Sequence, residues 1–196
     1  MSELKGLLKY PKIYDFINKL SIKINRVDIE DINPHIKGKT VLDIGCGPNI
    51  YYYSPNNAKV CIGLDPSEVF VQAVKKENDS HQLFLQGDAV NLPFKNNSYQ
   101  VGLFLFTLHH IPFDHKRILE EAVRCCTEKI IIIDHLQDKS GFRKILKYLW
   151  WKIKDRGFKY NTYNEWKELL KSYNVDKEMI TGWPLNNIYQ VIIKLK

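Results

Sequence analysis

A β-branched, apolar run that leads straight into a glycine pair constrains this chain more than any other stretch. Thr40 to Ile44 reads TVLDI, and Gly45-Cys46-Gly47-Pro48-Asn49 follows without a spacer. Such a run bounded by turn residues predicts a buried strand. Glycine has no Cβ, so the backbone at Gly45 and Gly47 can turn sharply and lie against a ligand. Asp43 falls at the carboxyl end of the strand, the end at which open α/β sheets bind their ligands. The stretch predicts a nucleotide-like ligand over Gly45 to Gly47, with an ordinary strand-to-helix turn as the alternative.

The remaining pattern tells what surrounds that strand. Apolar residues at three- and four-residue steps predict a helix over 4–24, interrupted at Pro11, within an N-terminal helical cap of about 1–36. Further strands are expected at 59–65, 83–86, 99–106 and 129–133. Between them a short helix is expected at 50–54. A second helix is expected from the cap Ser67 to about Glu77, with Val69, Phe70, Ala73 and Val74 inward, and a third from the cap Asp114 to about Cys126. Two helical stretches follow, 141–155 and 163–173, and then two strands within 175–196 joined around Gly182-Trp183-Pro184 and Asn186-Asn187. Alternation of strand and helix through the first five strands predicts an α/β fold: a Rossmann-like, mostly parallel sheet with helices on both faces. The closing hairpin adds an antiparallel C-terminal edge strand.

At 196 residues the chain is expected to form one domain, 1–196. No apolar run approaches the ~20 residues that span a bilayer. The first residues, MSELKGLLKYPKIYDF, show no secretory core. Cys46, Cys61, Cys125 and Cys126 fit no metal spacing, so reduced thiols in a cytoplasmic protein are expected, with Cys125 and Cys126 on a helix. The charge is informative by its location. Eight Lys or Arg against the single Asp155 between Lys139 and Lys159 carry the whole chain's net charge of +7.

Successive strands end in Asp43, Asp65, Asp88, the Phe104–His110 stretch and Asp134, all on one rim if the strands are parallel. Asp65, 20 residues past Gly45, stands where the second acid of nucleotide-binding sheets accepts from ribose hydroxyls. The dinucleotide fingerprint G-x-G-x-x-G lacks its third glycine here, and no Lys or Ser/Thr makes a phosphate loop of the turn. A ligand with a ribose and no phosphate fits better.

VLDIGCGPN, GLDPS and GDAVNLPFKNNSYQVGLFLFTLHHI, in this order over about residues 40–135, resemble the class I S-adenosylmethionine-dependent methyltransferases, most closely the small-molecule and lipid-quinone branch. The resemblance implies a seven-stranded Rossmann-like sheet and S-adenosyl-L-methionine as cofactor. It implies that Gly45, Cys46 and Gly47 pass along the methionine and ribose, and that Asp43 fixes the turn and the methionine ammonium. It further implies that Asp65 binds the ribose hydroxyls, Pro66 lies near the adenine, Asp88 accepts from the adenine amino group and Ala89 presents its backbone to the same ring. Phe104 and Leu105 line the cofactor. Two positions depart from the family pattern. Gln100 replaces an Asp at the start of the fourth strand, with a structural effect expected, and Phe104 replaces a smaller residue and could narrow the site.

The sulfonium is already activated, so placing a nucleophile in line with the methyl carbon is the main task. A base is required only when the acceptor must lose a proton early. His110 and His109 are the catalytic candidates, with His135 and Asp134 as further base and partner; support of the loop by hydrogen bonding is the alternative role. His109, His110, Asp114 and His115 match no common metal spacing, so no metal is expected. Tyr10 and Tyr14 can close over the cofactor or pack in the cap.

Trp151 among lysines makes the basic helical insertion, about 139–173, either a lid or a contact for an anionic membrane surface through 139–159, with nucleic acid ranked below these. The expectation is methyl transfer to a small-molecule or lipid-like acceptor. An RNA methyltransferase, a non-catalytic S-adenosylmethionine-binding protein and a nicotinamide oxidoreductase are the alternatives. Acceptor identity, the methylated element and oligomeric state are left open.

Overall fold

A computed structural model describes residues 29–47, 53–77, 82–112, 114–137, 157–183 and 186–196. The helices expected at 4–24 and 141–155, with Pro11, Tyr10, Tyr14 and Trp151, lie outside these residues, as do 50–52 of the short helix expected at 50–54. Tyr53 and Ser54 are not helical, and Pro55–Asn57 forms a 3-10 turn.

The described elements run α1 (Asn33–Ile36), β1 (Thr40–Ile44), β2 (Val60–Asp65), α2 (Glu68–Glu77), β3 (Gln82–Gln86), β4 (Tyr99–Leu105), α3 (His115–Cys125), β5 (Cys126–His135), α4 (Tyr163–Leu170), β6 (Asn174–Trp183) and β7 (Asn186–Lys194). The seven strands form one sheet in the order β3-β2-β1-β4-β5-β7-β6. β3, β2, β1, β4 and β5 are parallel. β7 runs antiparallel to both β5 and β6, so the reversed strand sits inside the sheet and β6 forms the edge. Strand order reverses between β1 and β4, and such a switch point opens a crevice beyond the carboxyl ends of the strands.

Both faces of the sheet are covered, which is why β5 reads as an unbroken Ile130–Ile133. Ile130 and Ile132 enter the core beneath α3 and α4 with Leu42, Ile44 and Phe104. Ile131 and Ile133 enter the opposite core with Val41, Leu103 and, from α1, Ile36. All four isoleucines are at most 1% exposed. Each such side chain contributes roughly 1.5–3 kcal/mol on burial.

Local chemistry sets the helix ends. Asp114 caps α3 by accepting from the Lys116 N–H. Ser67 accepts from the Phe70 N–H at the start of α2. Thr162 and Glu165 form a reciprocal capping box on α4.

Three expectations shift. On α2, Phe70 and Val71 are the buried residues, while Val69 is 47% exposed. Its face packs on Phe84 of β3 and on Cys46 rather than across the sheet centre. α3 ends at Cys125, and Cys126 already begins β5, so the two thiols are not on one helix. α4 is shorter than the expected 163–173, stopping at Leu170. All four cysteines are free and buried.

Candidate active site

The glycine turn closes the carboxyl end of β1 over the switch point. Gly45 and Gly47 have φ of 72° and 63°, the left-handed region that glycine adopts without strain. They are glycines for different reasons. A Cβ at Gly45 would stand 2.1 Å from the Thr107 methyl, so this position needs the space as well as the angle. A Cβ at Gly47 would meet nothing within 4 Å among the described residues, so this position needs the angle alone.

The turn spends its donors internally. The Gly45 and Cys46 N–H groups both donate to the Leu64 carbonyl, at 2.7 and 3.2 Å. The Gly47 N–H donates to Asp65 Oδ2 at 2.9 Å. No N–H of the three is left to face an anion, so the turn is not a phosphate cradle. What it presents is acceptors.

Asp65 ends β2 with Oδ1 accepting the Ser67 N–H at 2.8 Å. A carboxylate offers about four acceptor positions, and the two protein donors leave room for ligand hydroxyls. Burial raises its pKa, opposed by the Ser67 and Gly47 N–H groups and by nearby His110.

Asp43 is 2% exposed. Its Oδ2 accepts from the Tyr53 hydroxyl at 2.8 Å, while Oδ1 is buried and has no hydrogen-bond partner among the described residues. Burial pushes its pKa up to about 7, against the Tyr53 hydrogen bond and with the help of the Asp65 charge. The folded pKa thus lies above the unfolded value near ~4. The cost of ionising the buried carboxyl is absent below that unfolded value, grows between the two, and is complete above about pH 7. The contribution of Asp43 to the thermal stability of the ligand-free protein should therefore fall between about pH 4.5 and 7.5, against an opposite contribution from His115, whose pKa burial lowers. Asp43→Asn should flatten the fall in melting scans, leaving the part due to Asp65.

The other expected contacts divide by burial. Pro66 and Asp88 are exposed, and Asp88 Oδ1 accepts from the Val90 N–H at 3.0 Å. Ala89 is 6% exposed and packs in the core with Leu92. Phe104 is fully buried beneath α3 and α4, so its ring does not narrow the crevice, whereas Leu105 is half-buried on the other face. Cys46 is buried beside Gly63 and Phe84, and burial pushes its thiol pKa well up. Gln100 lies at the far end of β4. Its backbone and side chain pair with Thr40, and its amide donates to Glu128.

The histidines separate into two roles. His109 is 2% exposed and pairs through Nδ1 with Asp134 Oδ1 at 2.5 Å. The backbone N–H groups of His109 and His135 also donate to Asp134, at 3.1 and 2.6 Å. A carboxylate can only accept, so Nδ1 of His109 carries the proton. Burial pushes the Asp134 pKa up, but the His109 charge and hydrogen bond and the His135 charge and N–H outweigh it and hold the carboxyl below its usual range. His110 is half-buried on the same 3-10 turn, close enough for its charge to act on Asp65. His115 is drawn away from both: Nε2–H donates to the Ile111 carbonyl and Nδ1 accepts from Asn161. Asp114 caps α3. The four polar residues after β4 therefore do not converge, and no group of His, Cys, Asp or Glu among the described residues is arranged to hold a metal ion.

Sequence reasoning missed Tyr53 and Thr107. Tyr53 is one of three consecutive tyrosines, with no signal to single it out. Thr107 Oγ1 donates to the Gly45 carbonyl at 3.0 Å, locking the loop after β4 against the glycine turn.

A sequence family described as "Methyltransferase domain" matches residues 42–133. A tRNA (carboxymethyluridine(34)-5-O)-methyltransferase of Arabidopsis thaliana is 30% identical over 118 residues, 59% of this chain and 24% of that protein. A demethylmenaquinone methyltransferase of Oceanobacillus iheyensis is 31% identical over 119 residues, 55% of this chain and 49% of that protein. The chain thus spans half or less of the length of these relatives. A SAM dependent methyltransferase from Aquifex aeolicus shares the fold, with a TM-score of 0.67 and 18% identity, covering 93% of this chain and 98% of that one.

Proposed function

We propose that this chain is a class I S-adenosylmethionine-dependent methyltransferase, a reading supported by the methyltransferase-domain match over residues 42–133, and that it methylates a small-molecule or lipid-like acceptor held beyond the carboxyl ends of β4 and β5. One observation carries the cofactor site: the three N–H groups of the glycine turn are consumed inside the protein, and the carboxylates of Asp43 and Asp65 flank that turn. Such a crevice suits hydroxyls and a cation and disfavours a pyrophosphate.

The residues present fit the group. Asp65 would accept from the ribose hydroxyls, and the bare Cα of Gly47 would let the ligand pass close. The unpartnered Oδ1 of Asp43 would face the cationic methionine end, directly or through water. Asp88 and Ala89 would hold the adenine, with Pro66 nearby. When bound, S-adenosylmethionine supplies a methyl group that an acceptor lone pair can take while the carbon–sulfur electron pair stays on sulfur. The protein's own work is to orient the acceptor, exclude water and, for an acceptor that carries a proton, receive that proton. His110 is the residue we assign to that last role. His109 is committed to Asp134 and is better suited to holding the loop.

Calorimetric titration tests the site. S-adenosylhomocysteine should bind and NADH should not; the reverse result would overturn the reading. The second reading, an RNA acceptor, is favoured by the tRNA-modifying relative. It requires formation of S-adenosylhomocysteine with tRNA and an RNA affinity that falls steeply with salt. Product formation with small quinols and no salt-dependent RNA binding would support the first.

A further inference from the structure

We propose that Tyr53 is a positioning residue for the cofactor: its hydroxyl holds Asp43 Oδ2 and leaves Oδ1 for the ammonium of the methionine end, so that cofactor binding draws a proton off Asp43. The inference rests on the methyltransferase reading and assigns a residue and a proton to that same site.

Tyr53 is placed by contacts that involve no ligand. The Ser54 N–H donates to Asn33 Oδ1 at 2.7 Å, and the Asn57 side-chain amide donates to the same oxygen at 2.8 Å. The Gly38 N–H donates to the Asn57 carbonyl at 2.8 Å. These bonds tie the stretch after Tyr53 to α1 and to the turn before β1. Tyr53 itself is 6% exposed and belongs to the core with Ile36, Val41 and Leu103. Its hydroxyl therefore reaches Asp43 from a fixed base.

That hydroxyl has two neighbours. It lies 2.8 Å from Asp43 Oδ2 and 3.4 Å from Cys61 Sγ. A phenol has one proton, and an ionised carboxylate can only accept. The Tyr53 proton therefore goes to Asp43, and the Cys61 thiol donates to the Tyr53 oxygen. Burial, helped by the Asp43 charge, keeps both donors protonated: it pushes Tyr53 well above its ordinary pKa and the Cys61 thiol up to about 12. The result is a buried relay, Cys61 to Tyr53 to Asp43, that ends on one carboxylate oxygen.

The other oxygen is left over. Asp43 Oδ1 is buried without a hydrogen-bond partner among the described residues, whereas buried polar groups are nearly always satisfied. The groups that face Asp43 do not supply a partner. From β2 come Cys61 and, at the strand end, Asp65; from the glycine turn comes Cys46; from β4 the paired residue is the apolar Leu103. None of these is a cation, and Asp65 adds a second acid. An ammonium, directly or through a water, would satisfy Oδ1 and offset both charges. In the ligand-free protein burial holds the Asp43 pKa at about 7, and the Tyr53 hydrogen bond is what opposes the rise. At neutral pH Asp43 thus carries about half a proton, which an arriving ammonium displaces to solvent.

The test is calorimetric titration of the full chain with S-adenosylhomocysteine, which keeps the ammonium, between pH 6 and pH 9. Binding to the wild type should release roughly half a proton at pH 7, read from the dependence of the heat on buffer ionisation, and affinity should fall about fivefold from pH 7 to pH 6. Asp43→Asn should abolish most of that release. Tyr53→Phe should bind about fivefold more weakly at pH 7 yet within about twofold of wild type at pH 9, because losing the hydroxyl makes the carboxyl harder to ionise. A merely structural role for Tyr53 would weaken binding equally at every pH. If Tyr53→Phe does not fold, proton release by the wild type against Asp43→Asn carries the comparison. An equal loss at pH 7 and pH 9, unchanged affinity of Tyr53→Phe at pH 7, no proton release by the wild type, or full release by Asp43→Asn would overturn the assignment while leaving the cofactor site standing. Failure of S-adenosylhomocysteine to bind the wild type at any pH in this range would overturn the methyltransferase reading first, and this inference with it.

Discussion

Asp65→Ala should weaken S-adenosylhomocysteine binding on the order of 100-fold or more in calorimetric titration, because two hydrogen bonds to a charged group contribute roughly 1.5–3 kcal/mol each. The ribose hydroxyls would lose their acceptor. The turn itself would lose one anchor, since Asp65 also holds the Gly47 N–H from the end of the neighbouring β2. Asp65→Asn separates the two effects. It keeps one acceptor oxygen but sets an amide nitrogen, which cannot accept, against the Gly47 or Ser67 N–H. Its affinity should fall between wild type and the alanine variant. Unchanged affinity in Asp65→Ala would remove the cofactor from this crevice.

The second large effect is on stability. Asp134→Ala should destabilise the protein by about 3–5 kcal/mol in chemical denaturation, because the His109 ring and two backbone N–H groups lose their acceptor at roughly 1–3 kcal/mol each. The 2%-exposed His109 ring and the N–H groups of His109 and His135 would lose their shared acceptor. The sign with pH follows from the lowered pKa of Asp134. Its stabilisation is complete above the unfolded carboxylate value near ~4 and is lost as pH falls through the lower folded value. The part of this destabilisation that belongs to the Asp134 carboxylate should therefore shrink as pH falls below about 4. An unchanged denaturation midpoint at pH 7 would show that Asp134 does not anchor the His109 loop.

Much of this was legible before any coordinates. β1 was placed residue for residue, because a five-residue apolar run stopped by Gly45 has one reading. β5 was placed but started late, since Cys126, Thr127 and Glu128 carry no apolar pattern; their pairing begins only because β4 lies alongside at Tyr99. The inward face of α2 was misread because Val69 and Val71 are both apolar and only the partner decides; the buried cluster that receives Val71 is Cys46 and Phe84. The capping box of α4 was legible in Thr162-Tyr163-Asn164-Glu165 and was overlooked. At the site, spacing revealed the acids but not their company. No local pattern links Tyr53 to Asp43 or Thr107 to Gly45, because each contact depends on chain segments brought together by the sheet. The adjacent histidines 109 and 110 looked equivalent in sequence. The 3-10 turn sends one ring to Asp134 and leaves the other half-buried near Asp65.

The place of β7 has a mechanical consequence. Among the described strands β6 is bonded to β7 alone, whereas β7 is clamped between β5 and β6. β6 can peel away without disturbing its neighbour's grip on the rest, but β7 cannot detach from β5 without carrying β6 along. The hairpin is thus a latch that opens outer leaf first or as a pair, never inner leaf first, and that restriction is set by connectivity alone.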